Sequence, residues 1–392
     1  MSIQDIVILS AKRTAIGTLT GSLSGFSAAE LGTIAVEASL ESAGVSESQI
    51  DEVLMGQVLT GGAGMNPARQ AARNAGLPDA TPAATINQVC GSGMRALMLG
   101  TQQIQTNVAQ YVVAGGQESM TNAPHVAPLR QGKKAGDIGF IDSMMFDALT
   151  DAFFGYPMGT TAENVAKKFE ISREAQDEFS LASHQKAIEA RDSGFFEEEI
   201  VPITIKTRKT EFTFDADEGV RGDTTIEKMA RLRPTFDEAG SVTAANASGI
   251  NDGAAALVLA NKQVADGDGY EALAHIRAYA HTGLDPAFMG LGPISATQLV
   301  AKRAGWDLSQ VDLFEFNEAF AAQSLAVVDQ LQIDPAKVNV NGGAIALGHP
   351  VGMSGARVVG TLVNALRKRG GGKGIASLCI GGGMGIAMAI EA

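Results

Sequence analysis

A cysteine followed closely by glycines is the first group in this sequence that could bond covalently to a substrate. Residues 87–97 are NQVCGSGMRAL, a pattern that predicts a strand or loop ending at Cys90 and a helix starting near Ser92. Free N–H groups and the dipole at a helix N-terminus favour a thiolate. Gly91 and Gly93 leave room for a carbonyl group beside the sulfur. Taken alone, the stretch equally fits a small buried hydrophobe.

Three stretches near the other end of the chain also place reactive or polar side chains beside predicted strand ends. The glycine-rich segment NVNGGAIALGHP presents His349 before a helix, SLCIGGGM ends a strand in Cys379, and FNEAF contains Asn317. Ligands of α/β sheets bind at the carboxyl ends of strands, so we expect these side chains to meet there. The alternatives are a helix-capping His349, a buried Cys379 and a turn-forming Asn317.

An internal repeat brings these stretches together. Ser92–Arg95 (SGMR) matches residues 354–357 (SGAR) 262 positions later. Residues 43–44 and 48–51 match residues 304–305 and 309–312 at a spacing of 261. The strand before Gly115 has its counterpart in the strand that contains Cys379. Matches in one register predict two copies of one fold, whose equivalent loops lie side by side.

The elements that position these residues alternate between strand and helix. We predict strands at residues 5–10, 50–58 and 111–114, and helices at residues 28–43 and 92–107. Such alternation implies an α/β fold with a mostly parallel sheet covered on both faces.

An insertion interrupts this alternation over residues 119–247. Repeated prolines and glycines are followed by charged helices at residues 161–169 and 173–193 and a β-like stretch at residues 200–214. A buried strand over residues 254–259 then resumes the first pattern.

Composition limits the function classes. The 392 residues are 45% hydrophobic and 19% charged, which is typical of a globular protein. The net charge of −13 argues against general nucleic-acid binding, and no apolar run is long enough to span a membrane. The first residues lack an export signal, so we expect a cytoplasmic protein whose two cysteines are free.

A zinc site is an alternative that the spacing does not support, because neither Cys-x-x-Cys nor His-x-x-x-His occurs. The remaining histidines lie outside the motifs and are interpreted as surface or cap residues: His125, His184, His275 and His281.

Over essentially its whole length, the sequence resembles the thiolase family, and within it the biosynthetic acetyl-CoA acetyltransferases. Four signature-like segments carry the resemblance, together with SGINDGAA at residues 248–255: VCGSG, NEAF, NGGAIALGHP and CIGGG. The resemblance implies a thiolase fold with duplicated halves in five α/β/α/β/α layers and an inserted loop domain.

The implied division assigns residues 1–118 with 248–270 to an N-terminal half and residues 271–392 to a C-terminal half. Residues 119–247 are the loop domain, for CoA binding and tetramerisation.

The resemblance also implies a role for each reactive residue. Cys90 accepts the acyl group, His349 activates it, and Cys379 is a second acid/base that removes an α-proton. The N–H groups of Cys90 and Gly381 form one oxyanion hole, and His349 with a water held by Asn317 forms another. CoA thioesters are the expected partners, and no cofactor or metal is expected. Glu318 is interpreted as an orienting neighbour.

By the same resemblance, CoA binds on the insertion. Arg221 approaches the nucleotide phosphates and Ser248 the pantetheine. The thioester channel is lined by Leu149, Met158, Ala244, Met289, Ala319 and Phe320. The basic cluster Lys206, Arg208 and Lys209 either attracts the 3′-phosphate or is a solvated strand face.

Three positions depart from the pattern of close biosynthetic relatives. Pro157 stands where a histidine facing the acyl group is common, which leaves the acyl-chain preference open. Lys228 and Met353 replace smaller residues near the adenine site and after the His349 loop.

The expected activity is reversible condensation of two acetyl-CoA molecules, with a degradative 3-ketoacyl-CoA thiolase of broader chain length as the alternative. A ketoacyl synthase of the same fold pairs its cysteine with two histidines, and Cys379 argues against it. A carrier module without enzymatic activity leaves the two cysteines and the histidine unexplained.

A homotetramer, arranged as a dimer of dimers, is expected as well. Residues 119–141 are too apolar for a free loop and are predicted to pack between subunits. The apolar residues behind this prediction are Met120, Val126, Leu129, Ile138 and Phe140.

Overall fold

The computed structural model describes residues 5–206 and 210–392. In chain order its strands are β1 (Ile6–Thr14), β2 (Gly17–Thr18), β3 (Glu52–Gly56), β4 (Ala83–Ile86), β5 (Tyr111–Ser119), β6 (His125–Val126), β7 (Ile141–Asp142), β8 (Ile200–Val201), β9 (Ile203–Lys206), β10 (Glu211–Phe214), β11 (Asn251–Asn261), β12 (Ala274–Gly283), β13 (Leu313–Phe316), β14 (Lys373–Ile380) and β15 (Met384–Glu391). Its α-helices are α1 (Ala28–Ala43), α2 (Pro67–Asn74), α3 (Ser92–Gln105), α4 (Met158–Lys168), α5 (Arg173–Asp192), α6 (Ile226–Met229), α7 (Lys262–Asp268), α8 (Gly292–Ala304), α9 (Ala321–Leu331), α10 (Ala344–Leu347) and α11 (Ser354–Lys368).

The first half of the main sheet has the strand order β4-β3-β5-β11-β1. Strand β3 pairs in parallel with both β4 and β5, whereas β11 is antiparallel to β5 and β1. The parallel strands end at one edge, so the chain leaving β4 passes directly into the Cys90 loop at that edge.

The second half repeats this arrangement with the order β13-β14-β15-β12. Strand β13 is parallel to β14, and β15 is antiparallel to β14 and β12. Val338 forms a parallel bridge to Phe314, in the place that β4 holds in the first half. The two halves therefore share one topology, which confirms the duplication predicted from the repeat.

The halves are joined by a sheet contact and by two buried helices. Residues 6–8 of β1 pair antiparallel with residues 274–276 of β12, so the sheet continues from one half into the other. Helices α3 and α11 contact each other and pack on the strands of their own halves, while α1 and α2 cover the first half and α8 the second. This gives five α/β/α/β/α layers with α3 and α11 in the middle.

Close glycine contacts bring the N-termini of the two central helices together. A Cβ atom on Gly355 would lie 2.3 Å from the backbone nitrogen of Met94, and one on Gly93 would lie 2.8 Å from that of Ala356. Side chains larger than hydrogen would separate the helices. The loops before these helices carry Cys90 and His349.

The insertion leaves the sheet after β5 and returns at β11. It contains the β6–β7 and β9–β10 pairs, a π-helical turn over Met144–Ala148, and helices α4 to α6. Strand β8 adds to the edge of β1, and α5 packs against α9 and α10 of the second half. The predicted domain boundaries stay a prediction. No helix among residues 5–206 and 210–392 is long and apolar enough to cross a membrane.

Candidate active site

Cys90 lies in a tight turn between β4 and α3. Val89 has φ of 47°, a left-handed conformation that is strained for a β-branched residue. The Ser92 hydroxyl donates to the carbonyl of Val89 (2.6 Å) and accepts the N–H of Gln88 (2.8 Å), which holds the turn closed. Helix α3 begins at Ser92, two residues after Cys90, as the sequence predicts.

The helix N-terminus does not leave Cys90 as a thiolate, contrary to the sequence-based expectation. Burial raises the pKa of the Cys90 thiol to about 11, and the nearby Glu118 carboxylate acts in the same direction. The backbone N–H groups of Gly381 and of Cys90 itself face the sulfur and lower its pKa, but by less than burial raises it. Cys90 is therefore a neutral thiol near pH 7 and needs a base.

His349 lies in the turn before α11 and is almost fully buried. Its backbone N–H donates to Asn251 Oδ1 (2.9 Å), and its Nδ1 lies 2.5 Å from Ser354 Oγ. Because the Ser354 hydroxyl donates to the carbonyl of Pro350 (2.9 Å), its oxygen is left to accept a proton from Nδ1. That tautomer leaves Nε2 of His349 unprotonated.

The same imidazole is held in its neutral form. Burial and, to a smaller extent, the positive charge of Arg357 on α11 together lower the pKa of His349 to about 3. Nδ2 of Asn317, which follows β13, lies 3.4 Å from Nε2 of His349. A neutral imidazole with a free nitrogen is a competent proton acceptor.

Cys379 lies near the end of β14, two residues before Gly381, and has no exposed surface. Burial raises the pKa of the Cys379 thiol well above its usual value, and the neighbouring Cys90 raises it further. The side chain packs in an apolar cluster that includes Met289 and Phe320. The two thiols therefore lie close to each other and are both free.

A cavity of about 350 Å³ opens onto Cys90, His349 and Gly381. Of the residues predicted to contact CoA or the acyl chain, the cavity is lined by Leu149, Met158, Ala244, Ser248, Met289, Ala319 and Phe320. Its wall also contains Met120, Met145 and Pro157. Met120 is buried, so its predicted place among subunit-facing residues is wrong.

Arg221 lies in an adjoining cavity, also of about 350 Å³, that shares part of its wall with the first. Its backbone N–H donates to Nδ1 of His184 (3.3 Å). His184 is buried, so its interpretation as a surface or cap residue is wrong; burial and the charge of Arg221 lower the pKa of His184 to about 4. The structure places His184 against Arg221, the residue predicted to approach the CoA phosphates. No sequence motif around His184 indicates this position.

Glu318 is buried and forms hydrogen bonds with the segment that precedes His349. Its carboxylate accepts hydrogen bonds from Asn339 Nδ2 (2.8 Å), Ser183 Oγ (2.7 Å) and the N–H of Ile345 (3.2 Å). These contacts connect α5, the end of β13 and the loop that leads to His349, as expected of an orienting residue.

The departures from the family pattern have separate positions. Pro157 lines the cavity at the start of α4, Met353 is buried beneath the His349 turn, and Lys228 forms an ion pair with Asp223 (2.7 Å). Lys206 of the predicted basic cluster pairs with Glu211 across β9 and β10 (3.4 Å). Arg208 and Lys209 lie outside the described residues.

Ser354 is a residue that the motif analysis missed. It stands 262 positions after Ser92 in the internal repeat, and both serine hydroxyls donate to a carbonyl of the turn before a central helix. The repeat was therefore a usable signal for Ser354, because a serine that orders the Cys90 turn predicts a counterpart beside His349.

A half-buried thiol, a neutral imidazole and a second, buried thiol at the strand ends of a duplicated α/β fold define a cysteine-dependent acyltransferase. The comparisons with known proteins are more specific. A model of the thiolase N-terminal domain matches residues 6–263, and one of the thiolase C-terminal domain matches residues 270–392. The chain belongs to the thiolase family.

Relatives match the chain over its full length. It is 54% identical to the acetyl-CoA acetyltransferase of Rhizobium meliloti, covering 100% of each chain, and 54% identical to that of Cupriavidus necator, covering 99% of each. The crystal structure of the Bacillus anthracis acetyl-CoA acetyltransferase superposes with a TM-score of 0.97 at 44% identity, covering 100% of this chain and 99% of that one. Human mitochondrial 3-ketoacyl-CoA thiolase also superposes with a TM-score of 0.97, at 43% identity and 100% coverage of both chains.

Proposed function

We propose that this thiolase is an acetyl-CoA C-acetyltransferase, which joins two acetyl-CoA molecules reversibly into acetoacetyl-CoA and CoA. The observation that carries the proposal is that Cys90, His349 and Gly381 line one cavity, with Cys379 packed beside Cys90. The full-length relatives with this printed activity support it.

In the first half-reaction, Nε2 of His349 takes the proton of the Cys90 thiol. The sulfur then bonds to the acetyl carbon of acetyl-CoA, and the bond from that carbon to the CoA sulfur breaks. His349 returns the proton to the departing CoA thiolate, so acetyl-Cys90 and CoA are formed without net proton change. The low pKa of His349 and the high pKa of Cys90 support proton transfer during attack rather than a preformed ion pair.

In the second half-reaction, Cys379 as thiolate accepts an α-proton from the second acetyl-CoA. The resulting carbanion bonds to the acetyl carbon of acetyl-Cys90, and the carbon–sulfur bond to Cys90 breaks. The α-proton then passes from Cys379 to the Cys90 sulfur, which regenerates the Cys90 thiol and returns Cys379 to the thiolate with which the step began. The proximity of the two cysteines supports this transfer.

Two groups of donors stabilise the negative oxygens that form. The N–H groups of Cys90 and Gly381 already face the sulfur, and we assign them to the tetrahedral intermediate on Cys90. When its Nε2 carries a proton, His349 is assigned to the thioester oxygen of the second acetyl-CoA, together with a water that Asn317 holds. Oδ1 of Asn317 is buried and has no hydrogen-bond partner among the described residues, which is compatible with that role.

The cavity walls support a short acyl group. Met158, Met289 and Phe320 fill the space around the thiols, and Pro157 adds a rigid wall. The adjoining cavity gives CoA a path from Ser248 toward Arg221. We further propose that the enzyme needs no cofactor, works in the cytoplasm and forms a tetramer.

The proposed intermediate can be tested by incubating the protein with acetyl-CoA and identifying the modified peptide by mass spectrometry. Acetylation of Cys90 is the expected result, and acetylation of Cys379 or of neither cysteine would refute the assignment. A Cys379→Ala variant should still acetylate Cys90 but should not condense acetyl-CoA.

The degradative alternative is tested by CoA-dependent cleavage of 3-ketoacyl-CoA substrates of increasing length. A steep fall in kcat/KM beyond four carbons supports the acetyl-CoA assignment, because specificity follows transition-state binding. A kcat/KM that rises to eight carbons or more would favour the degradative enzyme, whose human mitochondrial representative shares the fold.

A further inference from the structure

Glu118 is a buried carboxylate that the proposed reaction does not use. It is the penultimate residue of β5 and has no exposed surface. Its Oε1 accepts the N–H of Leu59 (3.1 Å), and its Oε2 accepts the N–H groups of Val58 (2.9 Å) and Gly352 (3.0 Å). The three partners are all donors, so this geometry suits an ionised carboxylate, while burial raises the pKa of Glu118 to about 7. Glu118 is therefore mostly ionised at pH 8.

These three hydrogen bonds connect the two halves of the molecule. Val58 and Leu59 follow β3 of the first half, whereas Gly352 lies in the turn between His349 and α11 of the second half. The opposite side of that turn is held by Asn251 at the N–H of His349. Asn251 begins β11, so the turn is fixed to the first half at two points, by Asn251 on one side and by Glu118 on the other.

The surroundings place this connection under the reaction cavity. Val58, Leu59 and Val351 pack in one apolar cluster with Cys90 and Leu149. Gly352 fits so closely that a Cβ atom on it would lie 2.8 Å from Glu118 Oε2. A displacement of the carboxylate would therefore shift the His349 turn relative to Cys90.

We propose that Glu118 is a positioning residue that sets the geometry between His349 and Cys90 by holding the His349 turn against the first half. This inference rests on the proposed function, since it takes Cys90 and His349 as the reacting pair. The negative charge is also close enough to raise the pKa of the Cys90 thiol, which gives Glu118 an effect that can be measured without turnover.

Two variants separate geometry from charge. Glu118→Gln places an amide N–H against at least one backbone donor and removes the charge. Glu118→Asp keeps the charge but is too short to reach both Val58 and Gly352. As a matched control, Asp51→Asn changes a carboxylate whose Oδ2 accepts the N–H groups of Gln110 and Tyr111 at the opposite end of the sheet.

The assay is thiolysis of acetoacetyl-CoA, combined with alkylation of Cys90 by iodoacetamide at pH 8 and thermal unfolding. We expect kcat to fall about 10-fold or more in both Glu118 variants with KM for CoA unchanged, because the Glu118 carboxylate bonds to Val58, Leu59 and Gly352 and not to the proposed CoA contacts Arg221 and Ser248. Alkylation should be about threefold faster in Glu118→Gln, from a thiol pKa lowered by roughly half a unit, and unchanged in Glu118→Asp. Asp51→Asn should match the wild type in both kinetic measurements.

A kcat within twofold of wild type in either Glu118 variant, counted per folded molecule, would overturn the proposal. If Glu118→Gln does not fold, Glu118→Asp decides. The proposed function is judged separately: wild-type protein that forms acetyl-Cys90, together with a fully active Glu118→Asp, would refute the role of Glu118 alone.

Discussion

At the scale of single residues, the Cys90 sulfur lies where opposite influences on its charge meet. The N–H groups of Gly381 and Cys90 favour the thiolate, while burial and Glu118 disfavour it more strongly. His349 is held neutral by burial and Arg357. The free enzyme therefore holds a neutral thiol beside a neutral base, and charge develops only when a substrate carbonyl is present.

The pH dependence of Cys90 alkylation follows from these pKa values. Because the thiol pKa is raised, the thiolate is the minor form at neutral pH and increases about tenfold per pH unit up to pH 10. The rate constant for alkylation of Cys90 by iodoacetamide in the absence of substrate should rise in parallel. It is measured by quenching the reaction at successive times and quantifying the modified Cys90 peptide by mass spectrometry. A rate constant that is flat from pH 6 to pH 9 would instead indicate a thiolate–imidazolium pair, and Cys90→Ser supplies the blank.

Ser354 is predicted to control the tautomer of His349. Ser354→Ala removes the acceptor for Nδ1–H, so both tautomers become accessible and Nε2 is no longer reserved as the base. We expect kcat to fall about 10-fold with KM for CoA unchanged. The control is Ser180→Ala, which removes a buried hydroxyl that donates to the carbonyl of Gln176 in the same helix. Equal kcat values for the two variants would contradict the role of Ser354.

At the scale of elements, the sequence was most informative where local chemistry decides the structure. Helix α1 spans Ala28–Ala43 as predicted, because a capping box of Ser27 and Glu30 starts it and Gly44 with φ of 67° ends it. The described residues of the β-like stretch predicted at residues 200–214 form the short strands β8, β9 and β10. The π-helical turn at Met144–Ala148 and the β1–β12 pairing depend on distant contacts, so local patterns did not predict them.

The same distinction applies to the candidate site. Motifs and the repeat predicted that Cys90, His349 and Gly381 would lie together, since residues at strand ends of equivalent halves face one another. The protonation states of Cys90 and His349 were not predictable, because they depend on how much apolar surface from both halves covers each side chain. The burial of His184 and Glu118 likewise results from packing between segments far apart in the chain.

The close contact between α3 and α11 sets the distance between the loops that carry Cys90 and His349, and this can be tested by substitution. Gly355→Ala should push the helices apart, because its Cβ would lie 2.3 Å from the Met94 nitrogen, and should cost about 1–3 kcal/mol in unfolding free energy. The accompanying shift between Cys90 and His349 should lower kcat. Urea unfolding and thiolysis kinetics measure the two effects.

Gly360→Ala is the matched control on the same helix. Its Cβ would lie 3.4 Å from that of Ala11, an ordinary contact, and alanine favours a helix over glycine by up to about 1 kcal/mol. This variant should be as stable as wild type or more so, with unchanged kcat. A Gly355→Ala enzyme as stable and active as Gly360→Ala would show that the close helix contact is unimportant.

At the scale of the whole molecule, the insertion leaves an apolar surface around β6 and β7. Four side chains predicted to pack between subunits are exposed on this segment: Val126, Leu129, Ile138 and Phe140. Phe140 is 67% exposed and Leu129 is 48% exposed. Apolar side chains grouped on one segment are typical of an interaction surface, whereas single exposed ones are common on any protein.

The tetramer proposal predicts that this segment contributes an interface between copies of the chain. We expect light scattering to give the mass of four chains for the wild type at micromolar concentration. A Leu129→Ser/Phe140→Ser double variant should dissociate to dimers, since in a dimer of dimers the removal of one apolar contact surface leaves the other interface intact. Val108→Ser changes a side chain that is 68% exposed on the turn after α3, and it should remain tetrameric. The dimeric variant should keep its kcat, because the segment does not line the reaction cavity. A wild-type mass of one chain would refute the tetramer, and a tetrameric double variant would place the interface elsewhere.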